Sequence, residues 1–349
     1  MTQNDKTNRQ LVLAERPKGA PTKDTLDLVE RKIPDAAEGQ MLLRTEYLSL
    51  DPYMRGRMSD AKSYADPVEI GGVMVGGTVA QVVTSHVDGF APGDFVLSFN
   101  GWQDYAVSDG SGVTKLDQSG AHLSWALGIL GMPGFTAWAG LTKIGTPKAG
   151  ETIVVAAATG PVGATVGQIG KLLGCRVVGI AGGAEKCAYA VDDLGFDACI
   201  DHRAAPDAKT LRAQLKEACP NGIDIYFENV GGKTTEAVLP MMNVHGRVPI
   251  CGMISYYSGA GMDAAQDNFP KAWRTILVNR LKMQGFIISD HWHEYAEFAA
   301  EVAPMLKDGS VIYRESIAEG LENAPEAFIQ LLKGGNFGKQ LVRVKAETA

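Results

Sequence analysis

No block of like charge runs anywhere along the 349 residues, and 33 Lys and Arg against 40 Asp and Glu leave a net charge of −7. Nucleic-acid recognition wants a basic stripe, so that class of partner is excluded, and the acidic balance serves solubility. The amino terminus, MTQNDKTNRQ, has no apolar stretch of the kind a secretory signal carries. Cysteine is scarce. The five residues, Cys175, Cys187, Cys199, Cys219 and Cys251, are odd in number and show no C-x-x-C spacing. That argues against a disulfide framework or a structural zinc lobe and for reduced thiols in a cytoplasmic protein. The G-x-S-x-G elbow of α/β-hydrolases is missing. The six histidines cluster only in DHWHE, residues 290–294. A His-x-His pair suits a strand face and needs further ligands, so no metal is expected there. Two long uncharged runs, residues 118–142 and 153–170, are broken by Pro133, by Pro161 and by glycines. A membrane span of about 20 apolar residues is rarely broken so often, so both read as buried segments and no membrane is expected as a partner.

What is present is an ordinary globular composition, 45% hydrophobic and 21% charged, in a chain long enough for two domains. To about Trp125 the chain reads as short strands and turns. MLLRTEYLSL mixes apolar and polar positions, GGVMVGGTVAQVV alternates and is glycine-rich, and GFAPGDFVLSF is a turn feeding a strand. From about Pro133, strand-like runs (TIVVAA, RVVGIA, DACI, IDIYFE, GRVPIC, MQGFII) alternate with helical ones such as residues 184–195 and 207–218. Such alternation means βαβ units around a parallel sheet. SVIYRESI and QLVRVKA then look like strands returning to the first domain. The expected class is α/β, a doubly wound Rossmann sheet over residues 133–304 inserted into a mostly β domain formed by 1–132 and 305–349.

The turn after TIVVAA carries the first chemistry. The dinucleotide fingerprint G-x-G-x-x-G is reduced here to Ala158-Thr159-Gly160-Pro161-Val162-Gly163. Gly160 is expected to make the tight turn and Gly163 the close helix–sheet approach, leaving a helix N-terminus that favours phosphate. Pro161 loses little in the first helical turn, where an N–H lacks a partner anyway. The acid that would bond the ribose 2′-OH, about 20 residues on, is absent. The second strand ends in Ala181-Gly182-Gly183 with Lys186 following and Arg203 beyond the third strand. Small residues leave room for a 2′-phosphate and the cations neutralise it, so NADPH (NADP+) is the expected cofactor. NVGGKTTE, residues 229–236, imitates the end of a Walker A loop. Its first glycine would fall on Phe227, so a turn leading into a helix explains it.

YLSLDPYMRGRMSD, IGGVMVGGTV, LGMPGFTAW, the whole glycine-turn segment, YFENVGG, CGMIS and LKGGNFGK follow one another over nearly the entire chain. In these stretches the sequence resembles the zinc-independent medium-chain dehydrogenases/reductases, in the branch of prostaglandin/leukotriene reductases, plant double-bond reductases and bacterial curcumin reductases. The resemblance implies a GroES-like catalytic domain around the Rossmann domain and a homodimer. It implies that Gly160, Pro161, Val162 and Gly163 hold the pyrophosphate, with Lys186 on the 2′-phosphate for which Gly182 leaves room. His202 stands where relatives carry a tyrosine. Asn229, the Cys251–Tyr257 segment with Ser255, and Phe286, Ile287 and Ile288 would line the nicotinamide half. Asn336 would approach the phosphates from the other domain. Asp51 falls near where zinc-dependent relatives place a ligand cysteine, and their GHE ligand motif has no counterpart in VMVGG.

An activated C=C bond suits a metal-free site because the substrate carries its own electron sink. Hydride reaching the β-carbon of an enone leaves negative charge on the carbonyl oxygen, and a donor aimed there lowers the barrier. A tyrosine hydroxyl, with an ordinary pKa of about 10, stays protonated at neutral pH. The resemblance makes Tyr257 the first candidate, with Tyr256 its possible substitute and Tyr53 second. Tyr64 and Met132 would line the pocket. The expected substrate is a small-molecule enone of the curcumin kind. A quinone oxidoreductase of the same fold, a protein that binds NADPH without turnover and a zinc alcohol dehydrogenase remain as alternatives.

Overall fold

The computed structural model describes residues 7–117, 122–259 and 269–344. The chain divides into two compact units, Met1–Gly128 with Glu315–Ala349, and Ile129–Arg314.

The first unit opens with β1 (Thr7–Leu13) and β2 (Leu26–Lys32), an antiparallel pair. Then come β3 (Met41–Ser49), one turn of helix α1 (Met54–Arg57), β4 (Thr78–Ser85), β5 (Phe95–Ser98), β6 (Tyr105–Ser108) and β7 (Thr114–Lys115). The glycine-rich stretch before β4 is not regular strand. Residues 72–74 instead return to β1, where Leu13 N donates to Gly72 O and Met74 N to Leu11 O, both at 2.9 Å. Trp102, fully buried, meets Phe328 edge-on at 5.6 Å in the core of this unit.

The second unit is a six-stranded parallel sheet among the described residues. Its strands are β8 (Thr152–Ala156), β9 (Arg176–Ala181), β10 (Ala198–Asp201), β11 (Ile223–Phe227), β12 (Met242–Ile250) and β13 (Lys282–Gly285). They lie in the order β10-β9-β8-β11-β12-β13, the doubly wound order whose switch point falls between the first and fourth strands, here β8 and β11. Strand β8 is buried at every position, as a sheet covered on both faces requires. The helices are α2 (Met132–Ala139), α3 (Pro161–Leu172), α4 (Ala184–Asp192), α5 (Ala208–Ala218), α6 (Gly232–Val238), α7 (Phe269–Asn279) and α8 (Tyr295–Lys307). Phe135 and Trp138 of α2 pack against Phe298 of α8, and Trp138 Nε1 donates to Glu301 at 2.5 Å.

The chain then returns to the first unit as β14 (Glu315–Glu319), α9 (Ala324–Leu332) and β15 (Lys339–Arg343), in the sheet order β14-β15-β3-β4-β5-β7 with β6 on β3. Only the second half of SVIYRESI is strand. Residues 311 and 312 send their N–H groups to Met305 O and the Gln168 side chain, at 3.0 and 2.8 Å, so they cannot join a ladder. DHWHE also departs from the strand expectation. It lies in a 3-10 helix, Ile288–Glu294, where His291 and His293 both approach Glu294 at about 3.5 Å. No helix among the described residues is long and apolar enough to cross a membrane, and no group of three or more potential ligands could hold a metal.

Candidate functional site

The glycine turn sits at the C-terminal end of β8, at the switch point. Ala157 takes the left-handed conformation with φ 53°, a modest strain for an alanine. Gly160 has φ −75°, which any residue adopts. The tight turn therefore falls on Ala157, not on Gly160 as expected. The reason is that the buried Ala158 N–H stays bonded to Ile180 O on β9, and Gly160 N closes back on Ala157 O at 3.0 Å. Gly163 is needed for another reason. A Cβ there would lie 2.3 Å from Ala157 O, so only glycine lets α3 start this close to the strand. Pro161 occupies the first position of α3, with Val162 and Gly163 in the first turn, and no acid stands there to compete for an anion.

At the end of β9, Gly182 lies under two basic side chains. A Cβ on it would meet Arg203 Nε at 2.9 Å and His202 Nε2 at 3.0 Å. Lys186 is half-buried on the first turns of α4, and burial, then the nearby Arg203, lower its pKa. His202 is likewise lowered, by burial first and then by Lys233 and Arg203, so its imidazole is neutral at pH 7. Asp201 holds the corner from beneath, accepting from Gly183 N at 2.8 Å and Arg203 N at 2.9 Å. Three basic groups thus gather at a small-residue corner, with Asp201 turned to the backbone and Glu185 beside Lys186 on α4. A dianionic phosphate on a ribose fits this donor set.

The second turn follows β11 and is built around Glu228, which sequence reasoning missed. Its carboxylate, 4% exposed, accepts from Tyr226 Oη at 2.8 Å, Val230 N at 2.6 Å, Gly231 N at 2.9 Å and the Thr235 hydroxyl. Its carbonyl accepts from Cys251 N at 2.9 Å and Gly252 N at 3.2 Å. The signal available was an acid directly after an apolar strand and before two glycines. Gly231 and Gly232 have φ 84° and 56°, which glycine alone takes without strain. Asn229 joins this turn to the first, donating to Ala156 O at the end of β8 at 2.8 Å. Lys233, from the false Walker match, spans the loop after β10 by donating to His202 O and Ala205 O at 2.8 and 2.5 Å.

The residues after β12 lie on this turn. Ser255 Oγ donates to Val230 O at 2.6 Å. The Tyr256 ring covers Gly231, and its hydroxyl accepts from Gly232 N at 3.0 Å. Tyr257 is half-buried one residue on, and its hydroxyl accepts a longer bond from Met253 N, 3.4 Å. Tyr256 is thus tied to the turn by both its ring and its oxygen. Burial, with Glu228 near, pushes the Cys251 thiol up to about 12, so it is not a nucleophile. Phe286, Ile287 and Ile288 lie just past β13. Phe286 stands edge-on to Phe227 at 6.5 Å, against Gly140, where a Cβ would be 2.7 Å from it. Met132, half-buried, opens α2 and accepts from Thr136 Oγ1 through its carbonyl at 2.7 Å.

In the first unit, Tyr53 precedes α1. Burial, then Asp51 and Tyr64, push its pKa far up, so its hydroxyl stays protonated. Tyr64 is 59% exposed with the Arg57 guanidinium over its ring at 4.7 Å. Asn336 donates to Gly338 O at 2.7 Å within its own turn. Asp51 is buried and paired with buried Lys339 at 2.6 Å.

A switch point with a glycine turn and a basic corner on a doubly wound sheet, in a chain that also carries a mostly β unit, defines a nicotinamide-dependent oxidoreductase of the medium-chain type. Known proteins narrow this. Residues 9–116 match the family described as the N-terminal domain of oxidoreductase, and residues 161–303 match that described as zinc-binding dehydrogenase. The NADPH-dependent curcumin reductase of Escherichia coli is 56% identical over 99% of this chain and 100% of its own. The NADP(+)-dependent 2-alkenal reductase of Nicotiana tabacum is 39% identical over 98% of each. The crystal structure of CurA from Vibrio vulnificus in complex with NADPH superposes with a TM-score of 0.92, at 57% identity, covering 97% of this chain and 99% of that one. The chain belongs to the zinc-independent medium-chain dehydrogenases/reductases, in the curcumin reductase branch.

Proposed function

We propose that this protein uses NADPH to reduce the C=C bond of α,β-unsaturated ketones and aldehydes, curcumin-like enones among them. The full-length likeness to reductases of such compounds carries the reading. The grouping of His202 and Arg203 against Gly182, with Lys186 close enough to act on both, supports the choice of cofactor. The N–H groups opening α3 and the turn at residues 157–163 receive the pyrophosphate, and the basic corner receives the 2′-phosphate. Asn229, Cys251, Ser255 and residues 286–288 line the nicotinamide half. Bound NADPH supplies a hydride to the substrate β-carbon. The Tyr257 hydroxyl donates a hydrogen bond to the carbonyl oxygen as charge gathers there. Its oxygen accepts from Met253 N at 3.4 Å, and a phenol both accepts and donates. Tyr53, kept protonated by burial, is the second candidate donor.

The same reading places the chain in the cytoplasm, where its five free thiols persist, and makes it a homodimer. Strand β13 is an edge of the sheet, and α7 nearby in sequence exposes Trp273, Leu277 and Val278. The apolar residues 286–288 lie past the strand's end and do not extend that edge.

NADPH consumption by the purified protein, with and without curcumin and a short trans-enal, tests the function. Enone-dependent oxidation that favours NADPH over NADH is the expected result. Turnover of quinones alone would replace this reading with a quinone oxidoreductase, and binding without turnover would leave a cofactor-binding protein.

A further inference from the structure

The thiols of Cys187 and Cys199 stand 3.1 Å apart, sulfur to sulfur, across 12 residues of chain. Cys187 lies in the first turns of α4, directly after Lys186, and Cys199 lies on β10, two residues before Asp201. Both are half-buried, and neither is spent on any other role described above. Their surroundings are tight. A Cβ on Gly179 would come within 3.1 Å of the Cys199 sulfur, so glycine there makes the space that sulfur fills.

We propose that Cys187 and Cys199 form a reversible disulfide under hydroperoxide, and that it weakens NADPH binding at the adjoining basic corner. This rests on the cofactor reading above. The two sulfurs are within about 1 Å of bonding distance, so small movements of α4 and β10 close the bond. Selectivity follows from the surroundings of the five thiols. Burial raises Cys175, Cys219 to about 11 and Cys251 to about 12. The hydrogen bond from Cys199 lowers Cys187 and correspondingly raises Cys199. Cys187, near a helix N-terminus, is therefore the attacking thiolate. Its sulfur attacks a peroxide oxygen, the O–O bond breaks, and the departing oxygen leaves as an alcohol carrying one thiol proton. The resulting sulfenic acid is attacked by the Cys199 sulfur, the S–O bond breaks, and water leaves with the other proton. Two thiols and one hydroperoxide give one disulfide, one alcohol and one water, with two electrons passed from sulfur to oxygen. A dithiol reductant reverses the change.

The consequence is local. Drawing Cys187 toward β10 shifts Lys186 beside it. Drawing Cys199 shifts Asp201, which holds Gly183 N and Arg203 N. A cation displaced from a phosphate costs about a factor of ten in affinity. NADH, lacking that phosphate, is expected to lose less.

The test treats the whole protein with hydrogen peroxide, maps cysteine peptides by mass spectrometry, and titrates NADPH and NADH by fluorescence before oxidation, after it, and after dithiothreitol. The expected result is a Cys187–Cys199 peptide pair two hydrogens lighter and a NADPH Kd raised about tenfold, both reversed by dithiothreitol and absent in Cys199→Ser. Absence of that peptide pair at peroxide levels that oxidise other cysteines would overturn the proposal. So would a disulfide that leaves the NADPH Kd unchanged. The peptide map reads the bond without any cofactor, so a reduced protein that fails to bind NADPH overturns the cofactor reading separately and with it the proposed control.

Discussion

After β8 the chain turns with almost no side chain in the way: Ala157, Ala158 and Gly163 let backbone approach backbone, and Pro161 starts the helix. After β11 it turns around the buried carboxylate of Glu228, which gathers two backbone N–H groups and two hydroxyls. The first turn gains its shape by leaving room. The second gains it by satisfying donors that would otherwise be buried unpaired. Room at the first turn exposes a helix N-terminus to a ligand, while the second fixes the platform that carries Tyr256 and Tyr257.

Glu228→Ala should break the comparison hardest. It leaves Tyr226, Thr235, Val230 N and Gly231 N without their acceptor; the Tyr226 hydroxyl and Gly231 N are buried, and at about 1–3 kcal/mol for each buried orphan the loss is about 2 kcal/mol or more. Thermal unfolding checks it, and a stability close to that of the unsubstituted protein would show that the turn does not depend on its carboxylate. Gly163→Ala comes next. Its Cβ at 2.3 Å from Ala157 O must push α3 off the strand, an overpacking cost of about 1–3 kcal/mol. The displaced helix N-terminus should also weaken NADPH, so Kd and unfolding midpoint must change together; a variant with normal Kd would remove this turn from the cofactor site.

How far each turn could be read in advance follows from the same contrast. The parallel sheet, its insertion between two stretches of the β unit and the glycine turn were visible because they rest on hydrophobic alternation and on missing side chains, both of which are local. That the left-handed residue is Ala157 was not visible, because its φ is imposed by Ala158 bonding to β9, a partner 22 positions along the chain. Glu228 was hidden for a similar reason. Its four donors come from residues on both sides of it, and an acid at a strand end reads as a solvated cap until the fold buries it. The basic corner was half legible: Lys186 and Arg203 stood out by charge, while Lys233, which clamps the loop at His202, looked like part of a failed phosphate motif.

Smaller effects sharpen the division between the turns. Tyr257→Phe should lower kcat about 100-fold while leaving the NADPH Kd unchanged, as loss of one oxyanion donor does. An unchanged kcat would move the role to Tyr53. Lys186→Ser should raise the Kd for NADPH about tenfold and leave NADH nearly untouched. Equal loss for both cofactors would place the lysine away from the 2′-phosphate.

Tyr256→Phe is the finest test because it separates neighbours that sequence alone leaves interchangeable. The Tyr256 hydroxyl accepts from Gly232 N at 3.0 Å, at the start of α6, and the ring lies over Gly231. Removing the oxygen costs one hydrogen bond, about 1 kcal/mol of stability, and keeps the ring in place. If Tyr256 belongs to the turn and Tyr257 to the substrate, Tyr256→Phe should unfold slightly earlier with kcat within about twofold, a change of about 0.4 kcal/mol in barrier. The reverse pattern, full stability with kcat lost, would exchange the two tyrosines and make the second turn, rather than the residue beyond it, the source of the donor.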